Sequence, residues 1–280
     1  MTHPGLVYVV NSDIVSGGEL YAVALARAFS GLGIDVEFVV REGSPVSDVA
    51  ARTGIATRSL SLPPKLGRRT ALRAVRELRS ARALLRDLVV EVGGDRRAIV
   101  QYKLEELLWP NYGNPPIVIE HGPLPEALLR VPAVKRRLLK LYSRARCFAV
   151  SEVARESMRR LGAIDVDVLP PAVDRQRVYR ARRSRDLLRG RLLTGRARRL
   201  VLYAGRLSAN KGVAILPQLA ARLGDAWTTV VLGEGAERSP LLQRARALGV
   251  ADRFLVLGRV PDALPYLAAA DVVVHPTRDP

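Results

Sequence analysis

Two cations and a set of glycines supply the strongest chemistry in this 280-residue chain. In Tyr203-Ala-Gly-Arg-Leu-Ser-Ala-Asn-Lys-Gly-Val213, Arg206 and Lys211 stand five residues apart among turn-forming residues. The apolar run Leu200 to Ala204 precedes them and a helical pattern begins near Lys211, so both fall at the C-terminal edge of a strand, where open α/β sheets bind ligands. A planar guanidinium fork beside a compact ammonium suits a diphosphate, whose charge grows as it leaves. The plain alternative is a pair of solvated loop cations. Leu232-Gly-Glu-Gly-Ala236 again reads strand, Gly-x-Gly, helix, and Gly233 and Gly235 would admit a ligand close to the backbone. Leu257-Gly-Arg-Val260 repeats that placement, with Arg259 and Val260 just past the next strand.

The first half has two such places. Asn11 to Gly18 follows the strand Leu6 to Val10 and opens a helix at Ser16-Gly17-Gly18, where a glycine pair lets N–H groups approach a phosphate or sugar. The same glycines could serve only a tight strand-to-helix turn. His121 ends Ile117-Val-Ile-Glu-His121 and precedes Gly122, which puts it at a strand's C-terminal end, as a functional or a capping histidine. No third glycine completes a dinucleotide fingerprint, and neither a Walker-type phosphate loop nor a Gly-x-Ser-x-Gly elbow occurs. Asp165-Val166-Asp167 has metal-site spacing but reads better as a solvated turn, and His3, His121 and His275 are too scattered to propose a metal site. No metal or cofactor is expected.

The elements that must carry these loops are short β-branched runs alternating with helical stretches, the pattern of parallel sheets covered on both faces. Strands are predicted at Leu6–Val10, Val36–Val40, Ala98–Tyr102, Ile117–Glu120, Cys147–Val150 and Val166–Leu169. A second series follows at Leu200–Ala204, Thr229–Leu232, Phe254–Leu257 and Asp271–His275. A helix over Glu19–Ser30 is closed by Gly31 and Gly33. Pro170-Pro171 cannot continue a central strand, so the expected domains are 1–172 and 173–280, two Rossmann-like folds facing across a cleft.

Charge is segregated. Residues 65–86, 135–146 and 175–199 together hold 25 Lys and Arg and two acids, which leaves the rest of the +18 chain at −5. In the first strip Ala71, Ala74, Val75, Leu78, Ala81, Leu85 and Leu88 share a helical arc opposite the arginines. Val134, Leu138, Leu141 and Ala145 do so in the second, opposite Arg136, Arg137, Lys140 and Arg144. Three readings stand: solvated faces, an anionic membrane surface, or nucleic acid. The last is disfavoured because aromatics, 5% of the chain, do not interleave with the cations. One cysteine, Cys147, excludes a disulfide framework, and with no signal peptide or membrane-length apolar run the chain reads as cytoplasmic.

In this order the loops resemble the retaining nucleotide-sugar glycosyltransferases of family 4. The resemblance rests on Gly17-Gly18, His121-Gly122, Val150-Ser151-Glu152, Gly205-Arg-Leu-x-x-x-Lys-Gly212, Gly233-x-Gly235, Leu257-Gly-Arg-Val260 and the Ala270 to Thr277 segment. It implies the GT-B architecture, with Gly17, Gly18, Arg206, Lys211, Gly233, Gly235, Arg259 and Val260 at the donor diphosphate. It also implies His121 beside the transferred sugar, transfer with retention, and no metal. The partners it implies are a nucleoside-diphosphate sugar and an acceptor of unknown kind, lipid-linked if the basic strips meet a membrane. Two features depart from the family's pattern. The junction reads Pro170-Pro-Ala-Val-Asp174 in place of Pro-Asn-Gly-Val-Asp, and the sequence ends at Pro280, ahead of the family's Glu-x7-Glu segment. The expectation is therefore an incomplete second domain, a fragment with weak nucleotide binding, and the alternative is a non-catalytic module that binds anionic surfaces.

Overall fold

The computed structural model describes residues 5–63, 78–92, 96–124 and 126–277. The chain divides into two compact units, Met1–Ala172 and Val173–Pro280.

Unit 1 is a seven-stranded, all-parallel sheet in the order β3-β2-β1-β4-β5-β6-β7. Its strands are β1 (Leu6–Val10), β2 (Val36–Arg41), β3 (Ala56–Leu60), β4 (Arg97–Val100), β5 (Ile117–Glu120), β6 (Arg146–Ala149) and β7 (Val166–Val168). Alternate residues of one strand feed two cores. Val7 and Val9 face a core with Val39, Val100 and Val118, while Leu6, Tyr8 and Val10 face one with Phe38, Ile99 and Ile119. The second core is closed by α1 (Gly17–Gly31) through Tyr21, Ala22, Val23 and Ala26, and by α2 (Val46–Arg52). The first is closed by α3 (Leu78–Val92), α4 (Lys103–Leu108), α6 (Pro132–Tyr142) and α7 (Glu152–Arg160); α5 (Glu126–Leu129) precedes α6. Burial on both faces explains why the strands read as continuous apolar runs.

The exception is β3, which no apolar run announces. Its sequence Ala-Thr-Arg-Ser-Leu lies at the sheet edge, exposed or half-exposed throughout, so backbone pairing with β2 rather than side-chain burial makes it a strand. At the end of α1, Gly33 takes φ +77° and Ile34 N–H reaches back to Phe29 O at 3.0 Å, the left-handed stop expected of a glycine there. The first basic strip falls largely on 64–77, outside the described residues. From Leu78 on it is helical, with Ala81, Leu85 and Leu88 buried.

Unit 2 is a four-stranded parallel sheet, β10-β9-β8-β11, from β8 (Arg199–Ala204), β9 (Trp227–Leu232), β10 (Phe254–Gly258) and β11 (Val272–Val273). Tyr203 and Val231 face α10 (Leu216–Leu223) and α11 (Arg238–Ala247). Leu200, Leu202, Val230 and Leu232 face the side covered by α9 (Arg185–Leu192) and α12 (Leu264–Ala269). Ahead of α9, α8 (Arg175–Arg183) is capped by Asp174, whose carboxylate accepts from Arg177 N–H at 3.1 Å. The segment predicted as a strand over Asp271–His275 is a strand at Val272 and Val273, flanked by backbone hydrogen bonds from Asp271 N–H to Leu200 O and Val274 N–H to Leu202 O, both at 2.9 Å.

Candidate functional site

In each unit the strand order reverses once, between β1 and β4 in unit 1 and between β8 and β11 in unit 2. Such a reversal separates the loops that leave the two strands and opens a ligand crevice at their carboxyl ends. Of the residues singled out by sequence, Gly17 and Gly18 follow β1 and Arg206 and Lys211 follow β8, at these reversals, whereas His121 follows β5, Gly233 and Gly235 follow β9, and Arg259 and Val260 follow β10.

In unit 1, β1 runs into Asn11–Ser16 and the start of α1, and β4 runs into Gln101-Tyr102. Nothing lies within 4 Å of a Cβ built on Gly17 or on Gly122, and one on Gly18 would sit 3.9 Å from both Nδ1 and Cε1 of His121. Gly17 and Gly18 therefore border open ground, with the His121 ring beside it. That ring stands edge-on to Tyr21, with centroids 5.1 Å apart, and its Nε2 is 2.9 Å from Gln101 Oε1. Burial lowers the His121 pKa, opposed by the charge of Glu19 and assisted by that of Lys103. Gln101 also accepts from Tyr8 Oη at 2.7 Å and donates to Tyr102 Oη at 2.9 Å, which in turn donates to Glu19 Oε1 at 2.7 Å. The other Glu19 oxygen accepts from Ser16 N–H at 2.8 Å and Ser16 Oγ at 2.6 Å. Burial opposes the charge on Glu19, but hydrogen bonds from Ser16, Tyr102 and Ser12 outweigh it and hold the pKa down at about 2.

Behind His121 lies a second buried cluster. Lys103 Nζ contacts Glu120 and lies 3.1 and 3.0 Å from the two Glu106 oxygens, and Tyr142 Oη donates to Glu106 Oε2 at 2.7 Å. Burial works against the charge on Lys103, yet Glu106 and Glu120 outweigh it and raise its pKa. Burial, with the charge of Glu106, pushes Glu120 up to about 7 against the pull of Lys103. Sequence reasoning had singled out none of Gln101, Tyr102, Glu19 or Lys103. The available signal was a short apolar strand, Ala98-Ile-Val100, running into Gln-Tyr-Lys at its carboxyl end.

In unit 2 the loop after β8 carries Arg206 and Lys211. Tyr203 Oη anchors it by donating to Arg206 O at 2.8 Å, a 3₁₀ turn spans Ala209–Lys211, and Gly212 follows at φ +65°. The segment after β11 closes on the same loop: His275 packs on the Tyr203 ring, and a Cβ on Gly212 would strike Pro276 O. Neither Arg206 nor Lys211 has an ion-pair or side-chain hydrogen-bond partner among the described residues, in contrast to Arg189 on Asp271 at 2.8 Å and Arg238 on Glu234 at 3.1 Å. Arg259, after β10, is exposed and equally unpartnered among them. Val260 is half-buried against the core beneath the sheet, so its side chain packs inward.

The two glycines of Gly233-x-Gly235 have a different neighbour from the one expected. Gly233 stands at φ +127° and Gly235 at φ +154°, and a Cβ on either would collide with the carbonyl of Gly205 or Leu207. The close approach is thus to the Arg206 loop. Gly205 N–H donates to Leu232 O at 3.0 Å, Leu207 N–H to Glu234 O at 2.9 Å and Glu237 N–H to Leu207 O at 3.1 Å. Gly233 N–H, donating to Gly258 O at 2.7 Å, joins the third loop. These glycines let three loops stack into one edge and so position Arg206 and Arg259. Asp165 and Asp167 both pair with Arg146, and among the described residues no group of three His, Cys, Asp or Glu could hold a metal.

The second basic strip is partly structural as well. Arg137 donates to Leu107 O at 3.0 Å, to Trp109 O and to Asn111 Oδ1 at 2.6 Å, and Arg144 to Asn111 O and Gly113 O. Lys135, Arg136 and Lys140 on α6 stay exposed, as do Arg79, Arg82 and Arg86 on α3. Among the described residues no helix is long and apolar enough to cross a membrane.

Comparison with known proteins gives these edges a setting. The sequence pattern of the family described as "Glycosyl transferases group 1" matches residues 198–279. A second, "Glycosyltransferase Family 4", matches residues 15–177, more than half of the chain. A Bacillus subtilis (strain 168) protein, TuaC, described as a teichuronic acid biosynthesis glycosyltransferase, is 31% identical over 131 residues, 46% of this chain and 32% of that protein. The 2-deoxystreptamine glucosyltransferase of Streptomyces kanamyceticus is 31% identical over 118 residues, 40% of this chain and 30% of that one. The match thus spans about a third of either curated relative. Among solved structures, Anabaena Alr3699/HepE in complex with UDP superposes with TM-score 0.75 at 17% identity, over 99% of this chain and 75% of that one. WaaG, a glycosyltransferase involved in lipopolysaccharide biosynthesis, does so with TM-score 0.64 at 14% identity, over 98% and 75%. At these identities the structural likeness speaks to fold alone, two Rossmann-like α/β units of the GT-B class. With the pattern over residues 15–177 covering more than half of its length, the chain belongs to glycosyltransferase family 4.

Proposed function

We propose that the protein moves a sugar from a nucleoside-diphosphate sugar to an acceptor, with retention of anomeric configuration. One observation carries the reading: two cations without side-chain partners among the described residues, Arg206 and Lys211, on a glycine-stacked loop at the switch point of the unit 2 sheet. Arg189, Arg238 and Arg253 of this unit are paired with carboxylates, whereas these two remain available to a diphosphate, with Arg259 on the adjoining loop as a third. The first two would neutralise charge as the nucleoside diphosphate departs, the step that a glycosyl transfer most needs stabilised. In this reading that charge falls on the cations, without a metal. Gly17 and Gly18 leave room for the sugar beside His121. The relatives' descriptions and the UDP bound to Alr3699/HepE support a nucleotide-sugar donor, and retention rests on the family resemblance of Gly205 to Gly212.

Calorimetric titration with UDP, GDP and ADP tests the site. Arg206→Ala and Lys211→Ala are each expected to weaken the best ligand by about tenfold to a hundredfold, the cost of one charged hydrogen-bonding group. Variants that bind as tightly as the parent would remove the assignment.

A second reading, binding to an anionic membrane surface, is favoured by one feature. Arg82 of α3 is close enough to Arg137 of α6 to lower its pKa, second to burial, so the first two basic strips adjoin on unit 1. In this reading that face holds the enzyme at the inner face of a membrane, where the acceptor is lipid-linked.

A further inference from the structure

The hydrogen bonds around His121 have a polarity that can be read from one end. Glu19, whose carboxylate has its pKa held down at about 2, is ionised at neutral pH and only accepts. Tyr102 therefore spends its single hydroxyl proton on Glu19 Oε1, and its oxygen must accept from Gln101. That orients the Gln101 amide, with Nε2 toward Tyr102 and Oε1 toward Tyr8 and His121. An amide oxygen only accepts, so the His121 nitrogen 2.9 Å from it, Nε2, carries the proton. In the neutral ring the lone pair then belongs to Nδ1, on the edge of the ring that faces Gly18.

We propose that Glu19, acting through Tyr102 and Gln101, is a positioning residue that fixes His121 in its Nε2–H tautomer and presents Nδ1 above Gly18 as a hydrogen-bond acceptor. The group seated there is thus a donor, a sugar hydroxyl, and not a phosphate oxygen, which would itself need a donor. This last clause rests on the proposed function; the tautomer does not. The groups facing the ring are consistent with a neutral imidazole: Tyr21 lies edge-on to it, and Lys103 counters the attraction of Glu19. Gln101 is 5% exposed and Tyr8 fully buried, so water has little access to reverse the chain. The reversed alternative would set Gln101 Nε2 against Tyr8 and His121 and its oxygen against Tyr102, leaving Tyr102 two acceptors for one proton.

Nitrogen-15 NMR on the full chain reads the tautomer directly, and only His3 and His275 compete for assignment. At pH 7.5 His121 is expected to show a protonated, pyrrole-type Nε2 and a pyridine-type Nδ1. Tyr102→Phe cuts the relay while leaving the Ser16 bonds to Glu19 in place, and Gln101→Leu removes the acceptor. Each is expected to give averaged shifts from mixed tautomers, with an amide spectrum otherwise that of the folded parent. If one variant does not fold, the other and the parent spectrum still decide. A parent protonated on Nδ1, or a His121 unmoved in the folded variants, would overturn the proposal. Nucleotide affinity in Arg206→Ala is the independent arm: its loss with a wrong tautomer condemns only the relay, and the converse only the donor reading.

Discussion

Glu19 and Glu120 are buried carboxylates in the same unit, and their surroundings drive them in opposite directions. Glu19 accepts from Ser16 and Tyr102, so charge is favoured in the folded state and its pKa lies at about 2, below the ordinary value of 4.5. A lowered carboxylate pKa gives stability that is present above the unfolded value and is lost as pH falls toward the folded one. Glu19→Gln is therefore expected to cost about 3 kcal/mol at most at pH 7 and progressively less between about pH 4.5 and 2, measured by urea unfolding across that range. Glu120 shares Lys103 with Glu106 inside the protein, and burial with the second negative charge raises its pKa to about 7. Here the folded state holds the extra proton, so the sign reverses and stability is lost as pH rises through 7. Glu120→Gln is expected to be more stable than the parent at pH 8 and to lose that advantage at pH 5. An advantage that is the same at both pH values would show that Glu120 is charged throughout.

At the scale of elements, glycines that look alike in sequence do unlike things. Gly233 and Gly235 occupy left-handed backbone and leave space that carbonyls of the β8 loop fill, so neither tolerates a Cβ. Gly233→Ala is expected to destabilise unit 2 by about 2 kcal/mol or more. Gly17 opens α1 with nothing near its absent Cβ and no positive φ, so alanine there should keep or slightly raise stability by reducing unfolded-chain entropy. If Gly17 borders a sugar site, Gly17→Ala keeps the melting temperature of the parent and impairs transfer. Thermal melts of the two variants separate a glycine that builds the edge from one that leaves it open. Cap residues behave as their positions in the sequence imply: Ser151 accepts from Ala154 N–H at 3.2 Å to start α7, and Asp174 starts α8.

Across the whole molecule, the net charge of +18 divides into structural and free cations. Arg137, Arg144, Arg146 and Arg189 are tied to carbonyls or carboxylates, whereas Lys135, Arg136 and Lys140 on α6 point to solvent. If unit 1 rests on anionic lipid, changing these three to alanine is expected to abolish flotation with phosphatidylglycerol vesicles while leaving the melting temperature unchanged. Binding by the parent should fade between 0.1 and 0.5 M salt, to about that extent because the screening length shortens severalfold toward 1 M. Arg137→Ala should instead destabilise unit 1, because the backbone carbonyls of Leu107 and Trp109 lose a donor.

Apolar runs, turn glycines and the order of the loops determined by themselves that the chain forms parallel α/β sheets, because strands buried on both faces must be continuously apolar. The same local signals placed Arg206, Lys211, Gly17, Gly18 and His121 at strand ends. Periodicity could not show the edge strand β3, whose pairing is made by backbone and not by side chains. Nor could any local pattern show that Gly233 and Gly235 accommodate a neighbouring loop, or that Glu19 reaches His121 through Tyr102, 83 positions along the chain, and Gln101. Contacts of that separation exist only when the sheet aligns β1, β4 and β5. The strand order, which composition does not encode, decided which polar residues meet at the switch point.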